Sequence, residues 1–169
     1  MNQIHRAEFQ SPIGIVEITG TDRAILSILF SEKTDVEHPI GPDSPAVIVD
    51  CQRQLEEYFK GERTEFSIPF TSAGTEFQQR VWSALTSVPY AETVSYGAIA
   101  KAIGSDKAVR AVGNANSKNK LTIVVPCHRI IGSNGKLTGY AGTLTRKEWL
   151  LKHEKDVRSR SVSAQIAGG

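Results

Sequence analysis

The tetrapeptide Pro126-Cys127-His128-Arg129 sets a thiol beside an imidazole and a guanidinium where the apolar run 121–125 stops. A free thiol has a pKa of about 8.5, so only a few per cent is thiolate at neutral pH, and a nearby base or cation raises that fraction. The chemistry open to this group is nucleophilic attack by sulfur. Side chains on a strand alternate between its faces, so Cys127 and His128 cooperate only if the backbone turns here or a water bridges them. Pro126 makes a turn credible. The alternative is a buried structural cysteine beside a surface histidine. The other cysteine, Cys51, recurs at helical spacing with Val47, Leu55, Tyr58 and Phe59 and is expected in a core.

The elements that must position the thiol follow from pattern. Residues 4–9, 14–19 and 24–30 are short and rich in Ile, Val and Phe, with turn residues between them, and predict an antiparallel meander. A helix follows the polar stretch 32–45 and stops at Gly61. Thr75-Glu76-Phe77-Gln78 is a capping box opening a helix on Phe77, Val81, Ala84, Leu85 and Val88, which Pro89 ends. Two shorter helical patterns, 96–103 and 108–115, joined through Gly104-Ser105-Asp106, predict a helix-turn-helix, although a plain helical hairpin has the same pattern. On the second of these the alanines and Val112 are expected inward, with Lys107, Arg110, Gly113 and Asn114 outward. Residues 121–125 predict a buried strand, Ser133-Asn134-Gly135 a turn, and Thr145 with Glu148 a second capping box opening a last helix to about Lys155. The polar tail 157–169 is expected to be mobile.

Composition bounds the partners. The 169 residues are 40% hydrophobic and 22% charged, enough for a real core in one domain or two small ones, and no apolar stretch approaches the roughly 20 residues of a membrane helix. No secretory signal opens the chain, and two cysteines make no disulfide framework, so a reducing cytoplasm is the expected location. The net charge of +2 conceals an asymmetry: residues 1–72 carry 6 Lys/Arg against 12 Asp/Glu, whereas residues 73–169 carry 14 against 6. A basic half is suited to a polyanion, surface lysines for solubility being the alternative. There is no internal repeat, phosphate-cradling glycine loop or metal-ligand spacing.

Taken together, the run from Ile123 to Ile131 around Cys127, with Gly139-Tyr140-Ala141-Gly142 and Arg146-Lys147-Glu148-Trp149-Leu150-Leu151 downstream, resembles the O6-alkylguanine-DNA alkyltransferases. The likeness extends upstream through Val94-Ser95-Tyr96-Gly97, the run from Ala108 to Gly113, and Asn119, covering most of residues 75–155; residues 1–70 fit loosely, as a variable N-terminal domain. It implies an α+β fold, with a small antiparallel sheet-and-helix domain (1–72), a mainly helical DNA-binding and alkyl-transfer domain (73–156) and the tail 157–169. The implied partner is double-stranded DNA containing O6-alkylguanine, bound by a monomer without cofactor or membrane.

The resemblance also implies roles. Cys127 takes the alkyl group as a stable thioether, once per molecule, through a Glu-His-water-Cys relay in which His128 accepts the proton and Glu148 orients it. Tyr96 donates to the departing guanine, and Asn119 braces the DNA-binding helices near the cysteine. Arg110 fills the gap left by the everted base, with Ala108, Ala111, Gly113 and Ser133 also at the DNA. Ile130, Tyr140 and Ala141 wall the alkyl pocket. For these residues the alternatives are a packed aromatic at Tyr96, a capping carboxylate at Glu148, a phosphate contact at Arg110 and a turn residue at Asn119. Lys120 stands where many relatives have proline, and no zinc is expected, because Cys51 is the only cysteine in the first half. Rival functions are a lesion-binding protein of the same fold that transfers nothing, a Cys-His-Glu hydrolase, and a helix-turn-helix DNA binder with a structural cysteine.

Overall fold

A computed structural model describes residues 3–137 and 143–168, with side chains described as far as residue 161. Tyr140 and Ala141, expected in the alkyl pocket, and the flanking Gly139 and Gly142 lie outside the described residues.

Strands β1 (His5–Ser11), β2 (Gly14–Gly20) and β3 (Ile25–Ser31) form the expected meander, in the order β1-β2-β3, with Phe9 opposite Val16 and Val16 opposite Phe30. Ala7, Phe9, Val16, Ile18, Ile25 and Ile28 are buried, and helix α1 (Ala46–Phe59) covers them with Ile48, Cys51, Leu55, Tyr58 and Phe59. Cys51 is therefore a core residue, as its spacing predicts. The link between sheet and helix is tied down by the fully buried Glu8, which accepts the backbone N–H groups of Glu37 and His38 at 2.9 Å each and the Lys33 ammonium at 3.1 Å.

The second half opens with the predicted capping box: the Thr75 hydroxyl accepts from Gln78 N, the Gln78 amide returns to Thr75 N, and α2 (Glu76–Thr86) follows. β4 (Val94–Ser95) then leads into α3 (Tyr96–Ala102), whose first turn is capped by Ser95, and α4 (Val109–Ser117) follows across a turn containing Gly104 at φ 76°. These two helices are the predicted helix-turn-helix pair. α4 buries Val112, Ala115 and Asn116; Arg110 and Asn114 face outward as expected. Ala111, expected inward, is exposed, because the helix packs along its 112–115–116 edge.

Two predicted elements differ from the structure. Residues 121–125 do not run as a strand. Val124 N donates to Thr122 O across Ile123, which sits at φ 73°, and Cys127 N donates to Val125 O across Pro126 at φ −78°, ψ 64°. The second is the geometry of an inverse γ-turn; the first is the strained γ form, costly for a β-branched residue and held only because its surroundings determine it. After these turns a 3-10 turn (Cys127–Arg129) carries the motif into β5 (Ile130–Ile131), which pairs in parallel with β4. The second difference is the last helix. α5 (Leu144–Gly168) begins ahead of Thr145, with Arg146 N donating to the Thr143 hydroxyl at 3.3 Å, and it continues through the residues expected to form a mobile tail. Among the described residues no helix is long and apolar enough to cross a membrane.

Three of the junctions between the halves, among the described residues, are these. Thr122 Oγ1 donates to Ile28 O at 2.6 Å while Ile28 N donates to Lys120 O at 2.7 Å, closing the free edge of β3. Arg146 Nε donates to Ile13 O at 2.8 Å, an approach that Gly14 permits, since a Cβ there would lie 2.9 Å from the guanidinium. The third junction, Tyr58 of α1 against Glu154 of α5, lies in the site itself.

Candidate active site

Cys127 is fully buried at the mouth of the 3-10 turn, and the clamp that puts it there is Asn119. The Asn119 amide donates to Val125 O and its oxygen accepts from Leu121 N, both at 3.0 Å, so one side chain grips both ends of the turn-rich segment. Asn116, on the buried edge of α4, donates to Cys127 O at 3.3 Å. Burial pushes the thiol up to about 11; the Asn119 side chain and the Lys147 ammonium oppose that shift without cancelling it. A raised thiol pKa leaves the sulfur protonated at neutral pH, so attack needs a base to take that proton.

His128 follows directly in the same 3-10 turn. Its Nε2 lies 2.6 Å from Glu154 Oε2, both side chains are fully buried, and Nδ1 makes no hydrogen bond among the described residues. Burial lowers the imidazole pKa, with Glu154 pulling the other way and Arg129 and Lys147 reinforcing the lowering, which favours the neutral ring. A carboxylate facing Nε2 requires the proton to be there, which leaves the Nδ1 lone pair as acceptor.

The carboxylate facing His128 is Glu154, which corrects the expectation for Glu148. Glu148 is exposed on α5. Lys147, Leu150, Glu154 and Val157 instead form the buried stripe of that helix, and a carboxylate on the apolar face was the signal in the sequence that could have identified Glu154. Glu154 Oε1 accepts from Arg129 Nε at 2.9 Å and from Ala91 N at 3.0 Å; Oε2 accepts from Tyr58 Oη at 2.7 Å and from a second Arg129 nitrogen at 3.1 Å. Burial disfavours its charge, yet His128 and Arg129 outweigh that and hold the carboxyl far below the usual range. Arg129 also donates to Val88 O at 2.8 Å and lies over the Tyr90 ring, so it is structural.

Lys147 is a second residue that spacing alone did not single out. Its side chain is fully buried, with Nζ 5.9 Å from the Tyr96 ring centre, and burial brings its pKa down to about 8, opposed by Cys127. Tyr96 is 9% exposed at the start of α3, facing Gly113 across the helix pair.

The remaining expected site residues are dispersed. Arg110 and Ala111 are exposed on α4, while Ala108 and Gly113 are half-buried beside them. Ser133 is exposed in a turn closed by Gly132 N to Lys136 O at 2.9 Å. Ile130 is fully buried in the core, opposite Val94 in the β4–β5 pair. Among the described residues no three His, Cys, Asp or Glu side chains are grouped to hold a metal ion.

Comparison with known proteins finds matches over both halves of the chain. Residues 76–156 match the DNA binding domain of 6-O-methylguanine DNA methyltransferase, and residues 4–71 match the ribonuclease-like domain of the same family. A methylated-DNA--protein-cysteine methyltransferase of Methanosarcina acetivorans is 47% identical over 153 residues, covering 89% of this chain and 98% of the relative. The constitutive methylated-DNA--protein-cysteine methyltransferase of Bacillus subtilis is 45% identical over 92% of this chain and 96% of its own length. The crystal structure of the Mycobacterium tuberculosis O6-methylguanine methyltransferase superposes with a TM-score of 0.80 at 42% identity, covering 91% of this chain and 94% of that one. The same protein in complex with DNA superposes equally well, at 45% identity, covering 90% of this chain and 94% of that one. With both family regions present in order and nearly half of all residues shared along almost the whole length, the chain belongs to the 6-O-methylguanine DNA methyltransferase family.

Proposed function

We propose that this protein, acting as a monomer in the reducing cytoplasm, repairs O6-alkylguanine in double-stranded DNA directly, by moving the alkyl group to Cys127 once per molecule. The observation that carries the reading is the buried thiol of Cys127 followed directly by an imidazole whose proton position is fixed by Glu154, in a chain of this family. Sulfur attacks the alkyl carbon, the S–C bond forms and the C–O6 bond breaks. The electron pair passes to the purine, which becomes guanine on gaining a proton. The thiol proton goes to His128 Nδ1 through one water and the Tyr96 hydroxyl donates the proton that the purine receives; the imidazolium then gives up its proton and the phenolate regains one, both by way of solvent. Lys147 favours the thiolate as it forms, since an ammonium ion buried nearby lowers the cost of negative charge on sulfur. A thioether is inert to water, and no second nucleophile is assigned to release it.

The DNA enters along α4. Its outward face carries Arg110, Ala111 and Asn114, little bulk and one cation, which suits a minor groove of about 6 Å. Arg110 takes the place of the everted base. Incubation with free O6-benzylguanine tests the transfer step without DNA: guanine should be released in a burst of one equivalent per protein and then stop, with none released by Cys127→Ser. Continued turnover, or an undiminished burst from Cys127→Ser, would overturn the reading.

A further inference from the structure

One interaction in the site comes from the other half of the chain. Tyr58 sits in the last turn of α1, fully buried, and its hydroxyl lies 2.7 Å from Glu154 Oε2, the same oxygen that receives the His128 Nε2 proton at 2.6 Å. Resting on the relay proposed above, we propose that Tyr58 is a positioning residue for alkyl transfer, through which the N-terminal domain sets the strength of the Glu154–His128 hydrogen bond.

The geometry carries this in two ways. First, the hydroxyl is placed with more care than packing needs. The Tyr58 carbonyl accepts from His153 Nε2 at 2.8 Å, the His153 ring stacks on Trp149 at 4.7 Å and 15°, and the Tyr58 ring meets Phe59, Phe66, Tyr90 and His153. These contacts hold the phenol at one angle and leave its Oη a single short bond. Second, the shared oxygen makes the two donors compete. A carboxylate oxygen relieved of one hydrogen bond is a stronger acceptor for the other, which stabilises the protonated imidazole. The other groups facing the His128–Glu154 pair are Arg129 from the 3-10 turn, Tyr90 from the α2–β4 connection and Lys147 from α5 itself. Both phenols are raised by burial with Glu154 adding to it, so Tyr58 acts only as a neutral donor.

Tyr58→Phe in the full chain keeps the ring and removes the hydroxyl, and Glu154 keeps Arg129 and Ala91 N. The acid limb of the rate of transfer from free O6-benzylguanine, followed from about pH 5 to 8, should move upward by about half a unit. NMR titration of the His128 imidazole should show the same upward shift with no alkyl donor present. A fluorinated tyrosine placed at position 58 alone, a stronger donor of the same shape, should move the acid limb and the imidazole titration downward, and it serves equally if Tyr58→Phe does not fold. A folded variant whose imidazole titration and rate profile superimpose on those of the unaltered protein overturns the proposal, because a tyrosine that merely packs would change melting temperature and leave both curves in place. If the unaltered protein transfers no alkyl group, the repair reading falls, while the imidazole titration still decides whether Tyr58 governs His128.

Discussion

Glu154 and Glu148 lie on the same helix six positions apart, and their exchange is the sharpest test of the residue-level account. Glu154 is fully buried among Arg129, His128, Tyr58 and Ala91 N, whereas Glu148 is exposed. Glu154→Gln should slow alkyl transfer about 10²-fold by releasing the imidazole from its correct tautomer. It should also cost about 3 kcal/mol of stability, since Arg129 is left buried without its carboxylate. Glu148→Gln should change neither, as single-turnover kinetics and denaturant melts will report. Glu154 also fixes the acid sensitivity: its folded pKa lies below the ordinary value of 4.5, so its stabilisation is complete above that value and is lost as pH falls towards the folded pKa. The melting temperature of the unaltered protein should therefore fall steeply below about pH 4.5, and that of Glu154→Gln should fall less. Cys127 and His128 stood out in the sequence as candidates because a thiol and an imidazole follow Pro126 where an apolar run stops. Glu154 did not stand out, because the resemblance was carried onto Glu148 and because a buried acid is recognisable only once the helix face is known.

At the scale of elements, hydrophobic period and capping chemistry located the meander, α1 and the helix pair to within a residue or two, because in each the local preference and the burial agree. Thr75→Ala should cost about 1 kcal/mol, read from thermal unfolding, since it removes a cap that holds both Gln78 N and, through Gln78, Thr75 N. The failure at 121–125 has a physical cause. An apolar run without charge looks the same as strand or as buried turn, and what folds it back is the Asn119 amide reaching Leu121 and Val125, a contact defined only in three dimensions. For α4 the consequence is functional: Arg110 stands on the exposed face of a helix with small side chains. Arg110→Ala should slow repair of a duplex substrate about tenfold while leaving reaction with free O6-benzylguanine within about twofold, because base extrusion is needed only in the duplex. Equal losses in the two assays would assign Arg110 to some other task.

Across the whole molecule the charge asymmetry acquires a meaning. The basic half carries α4, and the acidic half closes β3 against Lys120 and Thr122 and sends Tyr58 to Glu154. Such a division lets phosphate contacts gather on one side, and binding to duplex DNA should weaken steeply as salt rises. The contacts of Ile28 with Thr122, Ile13 with Arg146 and Tyr58 with Glu154 were not readable from pattern, since each joins residues far apart in the chain. The account rests finally on where the alkyl group ends up. Intact and peptide mass measurement after incubation with a duplex carrying O6-methylguanine should find one added methyl, about 14 Da, on the peptide containing Cys127 and nowhere else, at one per molecule however large the excess of DNA. A protein that binds and releases the duplex at unchanged mass, or carries the methyl on another residue, would contradict it.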